Sequence, residues 1–272
     1  MLQKRIGLIG AGQMATALAT GLLKARLIAP QNLLASDVDE AARQRFVRAT
    51  DARTTADNSV VARESDVLIL AVKPQQMAQV AAGLRGKITP DRLVISIAAG
   101  IRLASLAQWL GPDLRIVRVM PNTPCLVGQG ACAFSLGQRA TPEDAALVEQ
   151  LLQASASVWQ VEEKLLDAVT GLAGSGPAFV FVIIEALSDA GVKAGLPRQI
   201  ATQMAAKTVL GAAEMVLSTK SHPAMLKDQV ASPGGTTIAG LQALESAGLR
   251  SSLMAAVEAA TRRSVELGKQ VG

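Results

Sequence analysis

The sequence predicts an α/β fold in two parts: a doubly wound parallel sheet over residues 1–162, then an all-α domain over residues 163–272. Three observations carry that reading. The apolar run Ile6, Leu8, Ile9 ends in Gly10-Ala11-Gly12 and passes at once into Met14, Leu18, Leu22 and Leu23, which share helical spacing. Short apolar runs and helical patterns then alternate. Beyond Thr141 strand patterns nearly vanish, and Ala- and Leu-rich helical patterns take over.

Bulk properties narrow the function classes. The 272 residues suffice for one large or two ordinary domains, and half of them are apolar. The net charge of +5 comes from scattered Lys and Arg, with no basic run and no Tyr, which argues against a nucleic-acid groove. A modest positive field suits a phosphorylated cofactor and an acidic substrate. Two cysteines, Cys125 and Cys132, are too few for a disulfide framework or a zinc site and read as reduced packing residues; no metal is expected. Residues 119–138 and 168–184 are free of charge but interrupted by Pro and Gly, so no membrane span is expected. The N-terminus enters a strand directly, and the expected location is cytoplasmic.

Taken in order, the first strand, glycine turn and helix form the opening of a dinucleotide-binding βαβ unit of the Rossmann kind. Gly10 permits the turn, Gly12 lets the backbone approach a pyrophosphate, and the helix start offers free N–H groups. Ala15 takes the third glycine position of the fingerprint, where a small residue lets helix and strand pack. Residues 32–37 form the second strand. Asp37 at its end stands where an acid reads a free ribose 2′-hydroxyl, whereas Ser36, Arg43 and Arg45 nearby would suit a 2′-phosphate. Asp37 could equally cap the next helix. Residues 66–72 make an apolar strand typical of a sheet covered on both faces, ending at Lys73-Pro74. Lys73 reads either as a ligand-edge residue or as a solvated Lys. Residues 93–100 repeat the pattern with small residues that would let a flat ring lie against the backbone. Residues 115–120 lead into Pro121-Asn122-Thr123-Pro124, a rigid loop on the same edge, and 131–135 form a further strand. Helices fit at 40–48, 77–84 and 103–110.

Pro142-Glu143-Asp144 opens a helix with acids in its first turn. After a last edge strand at 158–161, helical patterns begin near Glu163, Pro177, Pro197 and Thr236, with a final helix over 251–267. A glycine loop at 171–177 joins two of these helices, and His222-Pro223 makes a turn. Ser232-Pro233-Gly234-Gly235-Thr236-Thr237 leads into a helix over 238–247 with Gly248 as its C′ residue. This loop reads either as an anion nest with two hydroxyls beside it or as a flexible approach to an N-cap. Helices with so little aromatic content suggest a partner subunit.

Together the pieces resemble the pyrroline-5-carboxylate reductase family. The resemblance rests on Gly7-Leu8-Ile9-Gly10-Ala11-Gly12-Gln13-Met14, Ala71-Val72-Lys73-Pro74, Ser96-Ile97-Ala98-Ala99-Gly100 and Met120-Pro121-Asn122-Thr123-Pro124. It continues through Gly174-Ser175-Gly176-Pro177-Ala178, His222-Pro223 and Leu226-Lys227-Asp228 to the closing motif Ser232–Thr237. It implies reduction of the cyclic imine 1-pyrroline-5-carboxylate to L-proline with NADPH or NADH, the last step of proline synthesis. It also implies a C-terminal domain like that of 6-phosphogluconate dehydrogenase, a homodimer formed through it, and a larger ring such as a decamer. Cofactor contacts would fall on Gly10, Ala11, Gly12, Gln13 and Met14, on Ser36, Asp37 and Asn58, on Ala71, Val72, Lys73 and Pro74, and on Ala98 and Asn122. Ala98 would lie near the nicotinamide. Thr237 would hydrogen-bond the ring nitrogen, with Ser175 a second catalytic hydroxyl. Ser232, Gly234, Gly235, Thr236 and Thr237 would hold the substrate, backbone N–H groups taking its carboxylate. NADPH-preferring members commonly carry a neutral residue at the position of Asp37, and Gln229 replaces an Asn found in some relatives.

The chemistry agrees with so sparse a site. An imine can arrive already protonated, so a hydroxyl and a fixed carboxylate suffice to orient it. A hydroxyacid dehydrogenase of the same two-domain plan needs a base, and the Lys and Asn expected after its glycine run are Val180 and Ile184 here. A non-catalytic NAD(P)-binding regulator would not need Thr236 and Thr237 beside two glycines.

Overall fold

The computed structural model describes residues 1–271, with side chains as far as Lys269. Contacts divide the chain into two compact units, residues 1–175 with 258–272, and residues 176–257.

The first unit opens with β1 (Ile6–Ile9) and α1 (Gln13–Lys24), then β2 (Leu33–Ser36), α2 (Glu40–Thr50), β3 (Arg53–Thr55) and α3 (Asn58–Glu64). It continues with β4 (Val67–Leu70), α4 (Pro74–Leu84), β5 (Leu93–Ser96), α5 (Leu103–Leu110) and β6 (Arg115–Met120). β7 (Gly130–Leu136), α6 (Pro142–Gln153) and β8 (Ala156–Gln160) complete the sheet, whose order is β3-β2-β1-β4-β5-β6-β7-β8. The chain reverses its winding direction at β1, between β2 and β4, and in α/β sheets ligands bind beyond the strand ends at that point.

Side-chain alternation explains why the central strands read as continuous apolar runs. Val67 and Ile69 of β4 enter one core with Ile6, Leu8 and Phe46, while Leu68 and Leu70 enter the opposite core with Ile9, Met77 and Leu106. Both faces are dry, so neither tolerates a polar residue.

The sheet is parallel-dominated, as expected, with one antiparallel pair: β7 runs antiparallel to β6, and β8 then pairs parallel with β7. Only residues 121–129, largely a 3₁₀ turn (Thr123–Val127), join β6 to β7, too little chain for a parallel crossover. β3 and α3 have no counterpart in the sequence reading. The helix at 40–48 extends to Thr50, and that at 77–84 begins at Pro74.

After a 3₁₀ turn (Glu163–Leu165), α7 (Leu166–Val169) runs into a π-helical turn, Thr170–Gly174, closed by Ser175 N–H donating to the Thr170 carbonyl at 2.8 Å. The glycine loop expected at 171–177 is therefore helical. The Met120 side chain closes over Gly174, where a Cβ would lie 2.6 Å from Met120 Cε. Pro177, with no N–H to donate, follows at the point where the regular ladder has already been broken.

The second unit holds α8 (Gly176–Lys193), α9 (Arg198–Thr219), α10 (Pro223–Val230), α11 (Thr236–Ser246) and the start of α12 (Leu249–Val271). α8 and α9 pack tightly where a Cβ on Gly191 would meet Ala201 Cβ at 3.1 Å, and Ser188 and Thr202 share a 2.7 Å hydrogen bond. The turn expected at His222-Pro223 instead starts α10, with His222 Nδ1 accepting the Ala224 N–H at 3.2 Å as its N-cap. Gly248, with φ +73°, sits just past α11 as expected of a C′ glycine. Because Gly171, Gly174 and Pro177 do not interrupt the helical path, Glu163–Lys193 is long and apolar enough to cross a membrane by length and composition.

Candidate active site

In the first unit, the glycine turn after β1 is shaped by two opposite constraints. Gly10 has φ +98°, and a Cβ there would lie 2.7 Å from the Ala71 carbonyl oxygen. A Cβ on Gly12 would meet nothing within 4 Å. Gly12 is the N-cap of α1, and no side chain caps that helix. The first N–H groups of α1, from Gln13 and Met14 onward, thus face open space that any side chain at Gly12 would invade. An uncapped helix start behind a bare backbone fits an anionic pyrophosphate. Ala15 is buried in the same core cluster as Ile6 and Leu8 of β1.

Asp37 follows β2, and its Oδ2 accepts the Ala11 N–H at 2.9 Å, tying the end of β2 to the glycine turn. It does not cap α2; Asp39 does, accepting the Ala41 N–H at 2.9 Å. Arg43 donates to the carbonyls of Asp37 (2.7 Å) and Val38 (3.2 Å), so its guanidinium is already engaged on the backbone. Ser36 Oγ, fully buried, donates to Asn58 Oδ1 at 2.7 Å. Ala71, Val72 and Pro74 are half-buried beyond β4, and exposed Lys73 is the N-cap residue of α4. Ala98, buried, follows β5. These residues converge on the switch-point edge of the sheet.

Asn122 lies beyond β6, but both ends of its side chain are taken: Nδ2 donates to the Ala173 carbonyl (3.1 Å) and Oδ1 accepts the Ala131 N–H (2.9 Å). It builds the loop rather than offering a free amide. The residue that the sequence reading missed is Arg118, 3% exposed in the middle of β6. Its guanidinium lies 3.2 Å from Glu163 Oε1 and 3.8 Å from Asp167 Oδ1. Glu163 also accepts the Leu103 N–H (2.7 Å), and Asp167 the Ser264 hydroxyl (2.7 Å). One buried cation thereby ties together β6, α5, α7 and the end of α12. An Arg within the apolar run Arg115–Met120 was the available signal. Ser175 is half-buried at the end of the π turn.

In the second unit, the loop before α11 turns through a glycine in the left-handed region. Gly234 adopts φ +68°, and Gly235 donates to the Ser232 carbonyl at 3.1 Å. A Cβ on Gly235 would strike Ser232 Oγ at 2.3 Å. Gly235 is the N-cap of α11, again with no side-chain cap, so no side chain accepts from the first N–H groups of this helix. Thr237 is half-buried, while Ser232 and Thr236 are exposed. A cavity of about 400 Å³ adjoins the loop, lined by Lys227, Gly234, Gly235, Ile238, Gln242 and Glu245 among others.

Over 270 residues, 99% of the chain, it is 48% identical to the whole length of pyrroline-5-carboxylate reductase from Methanosarcina acetivorans. The chain belongs to the pyrroline-5-carboxylate reductase family. Residues 163–267 match the family described as pyrroline-5-carboxylate reductase dimerisation, and residues 5–100 match that described as NADP oxidoreductase coenzyme F420-dependent. Among solved structures, the reductase of Plasmodium falciparum with NADP bound is 34% identical, with a TM-score of 0.90 covering 98% of this chain and 99% of that one. The reductase from Coxiella burnetii is 36% identical, with a TM-score of 0.91 over 98% and 99% of the two chains. The family's two-part plan accounts for the change from sheet to helices near Gln160.

Proposed function

We propose that the chain reduces 1-pyrroline-5-carboxylate to L-proline with NAD(P)H, the last step of proline biosynthesis. The observation that carries the proposal is the full-length match to reductases of this name, together with two uncapped, glycine-bordered helix starts. The cofactor supplies hydride to the C=N carbon. Gly10 to Met14 hold its pyrophosphate, Ser36, Asp37 and Asn58 border the adenosine ribose, and Ala71 to Pro74 with Ala98 line the remainder. Asn122 acts by holding its loop.

The substrate falls to the helical domain, residues 163–272. Backbone N–H groups at Gly234, Gly235 and Thr236 take the carboxylate, with Ser232 beside them, and the Thr237 hydroxyl bonds the ring nitrogen. Ser175 serves as a second hydroxyl. A carboxylate fixed at one end and a hydroxyl at the nitrogen orient the ring with no titrating side chain. The apolar residues at Val180 and Ile184 leave a hydroxyacid dehydrogenase without its base.

The same domain pairs two copies of the chain, which then build a larger ring. Phe181 and Leu217 of the second unit are 64% and 72% exposed, and α10 and α11 bury no residue fully. Apolar surface of that kind along Glu163–Lys193 suits a second subunit.

The test follows NAD(P)H absorbance with racemic 1-pyrroline-5-carboxylate, wild type beside Thr237→Ala. Turnover should fall about tenfold or more in the variant, about 1.4 kcal/mol or more of lost transition-state stabilisation. No turnover by the wild type with either cofactor, despite measurable cofactor binding, would overturn the proposal in favour of a regulator.

A further inference from the structure

We propose that Cys125 and Cys132 form a redox-modification site that closes a reversible internal disulfide when reached by a small two-electron oxidant of the peroxide class. Their Sγ atoms lie 3.6 Å apart, both buried and both free thiols. Forming a bond of about 2.05 Å requires the sulfurs to approach by about 1.5 Å, within reach of side-chain rotation if the backbone already holds both residues.

It does hold them, through one residue. Asn122 O accepts the Cys125 N–H at 3.1 Å, and Asn122 Oδ1 accepts the N–H of Ala131, next to Cys132, at 2.9 Å. Room for the Cys125 sulfur comes from Gly130, where a Cβ would lie 2.3 Å from that Sγ. Access runs through the 3₁₀ turn Thr123–Val127, whose Leu126 and Val127 are exposed. A single short turn is the kind of segment that opens locally without global unfolding.

The chemistry balances. The Cys125 thiolate attacks one peroxide oxygen, the O–O bond breaks, and the leaving hydroxide takes up the proton that the thiol had lost, giving a sulfenic acid and water. Cys132 then attacks the Cys125 sulfur and expels the sulfenic oxygen as water. Two thiols and one peroxide thus give one disulfide and two waters, two electrons passing from sulfur to oxygen. The order of attack follows from the pair's asymmetry: a hydrogen bond from Cys132 pulls the Cys125 thiol below its usual range, while the same contact and burial push Cys132 up. The closed disulfide would pin the turn carrying Asn122, whose Nδ2 holds the Ala173 carbonyl.

The test titrates the folded, full-length protein with hydrogen peroxide and reads intact mass and a non-reduced peptide map. The expected result is loss of two hydrogens per chain, carried by the single tryptic peptide 119–139 that holds both Cys125 and Cys132, and full reversal by dithiothreitol. Cys125→Ser and Cys132→Ser should each abolish the link. An unchanged mass, under peroxide that cross-links the urea-unfolded chain, would overturn the proposal. So would oxygen added to Cys125 without a link, or a disulfide between chains. None of these readings depends on turnover, so the reductase proposal stands or falls separately.

Discussion

Two glycines two residues apart do different work, and single substitutions separate them. Gly10→Ala puts a side chain at φ +98° and against the Ala71 carbonyl, and should cost about 1–3 kcal/mol of stability. Gly12→Ala meets open space, so thermal unfolding without cofactor should change by no more than about 1 kcal/mol. The Tm rise produced by NADPH should nevertheless vanish, because the new methyl occupies the pyrophosphate's approach. Asp37 offers a second residue-scale test. Its carboxylate faces the glycine turn, and one nitrogen of the nearby Arg43, Nη1, is engaged on two carbonyls, so a 2′-phosphate meets the Asp37 anion first. Asp37→Ser should raise the ratio of kcat/KM for NADPH over NADH by about tenfold, some 1.4 kcal/mol of relieved repulsion. The glycines were legible in the sequence because the turn's chemistry is local. The duty of Asp37 was not, since capping α2 and bonding Ala11 N–H demand the same residue type and only the fold shows that Asp39 does the capping.

At the scale of elements, strands buried on both faces were the easiest to read. β6 (Arg115–Met120) and α5 (Leu103–Leu110) have the limits that their apolar periodicity gives. β3 is three residues long and partly exposed, too short and polar to carry a period. The antiparallel β7 could not be read from its own residues, because alternation looks alike in either direction and only the short connection decides. The π turn was hidden for another reason: glycines that usually break a helix lie inside one here, and Gly174 sits under the Met120 side chain. Arg118 is what holds that region to the sheet. Arg118→Met leaves Glu163 and Asp167 without their cation and should cost about 3 kcal/mol, measured as a lower urea midpoint at unchanged slope. Arg118→Lys keeps the charge and should recover part of that loss, whereas equal losses in the two variants would mean that shape, not charge, holds β6 to α7.

For the molecule as a whole, the two units differ in how they meet water. The first buries two apolar clusters across one sheet and accounts for its own stability. In the second, α8 buries only Ser188 and α9 only Ala201 and Ala205, while Phe181, Val182, Met204 and Leu217 stay exposed. Helical pattern and Ala content gave the helices from sequence. They suggest a partner subunit but not the face it would cover, because an apolar stripe facing a second subunit reads like one facing a core. Burying such side chains stabilises by about 25 cal/mol per Å² of apolar surface, so an unpartnered α8 would forfeit much of what folds this unit. Charge placed there should therefore act on assembly before it acts on the active site. Phe181→Glu is expected to shift the sedimenting species from an oligomer toward a monomer, with helicity falling as concentration is lowered. Its Tm should then depend on protein concentration more steeply than that of the wild type. A variant that sediments and melts like the wild type would move the interface off α8, and the exposed end of α9 around Leu217 would be the next face to charge.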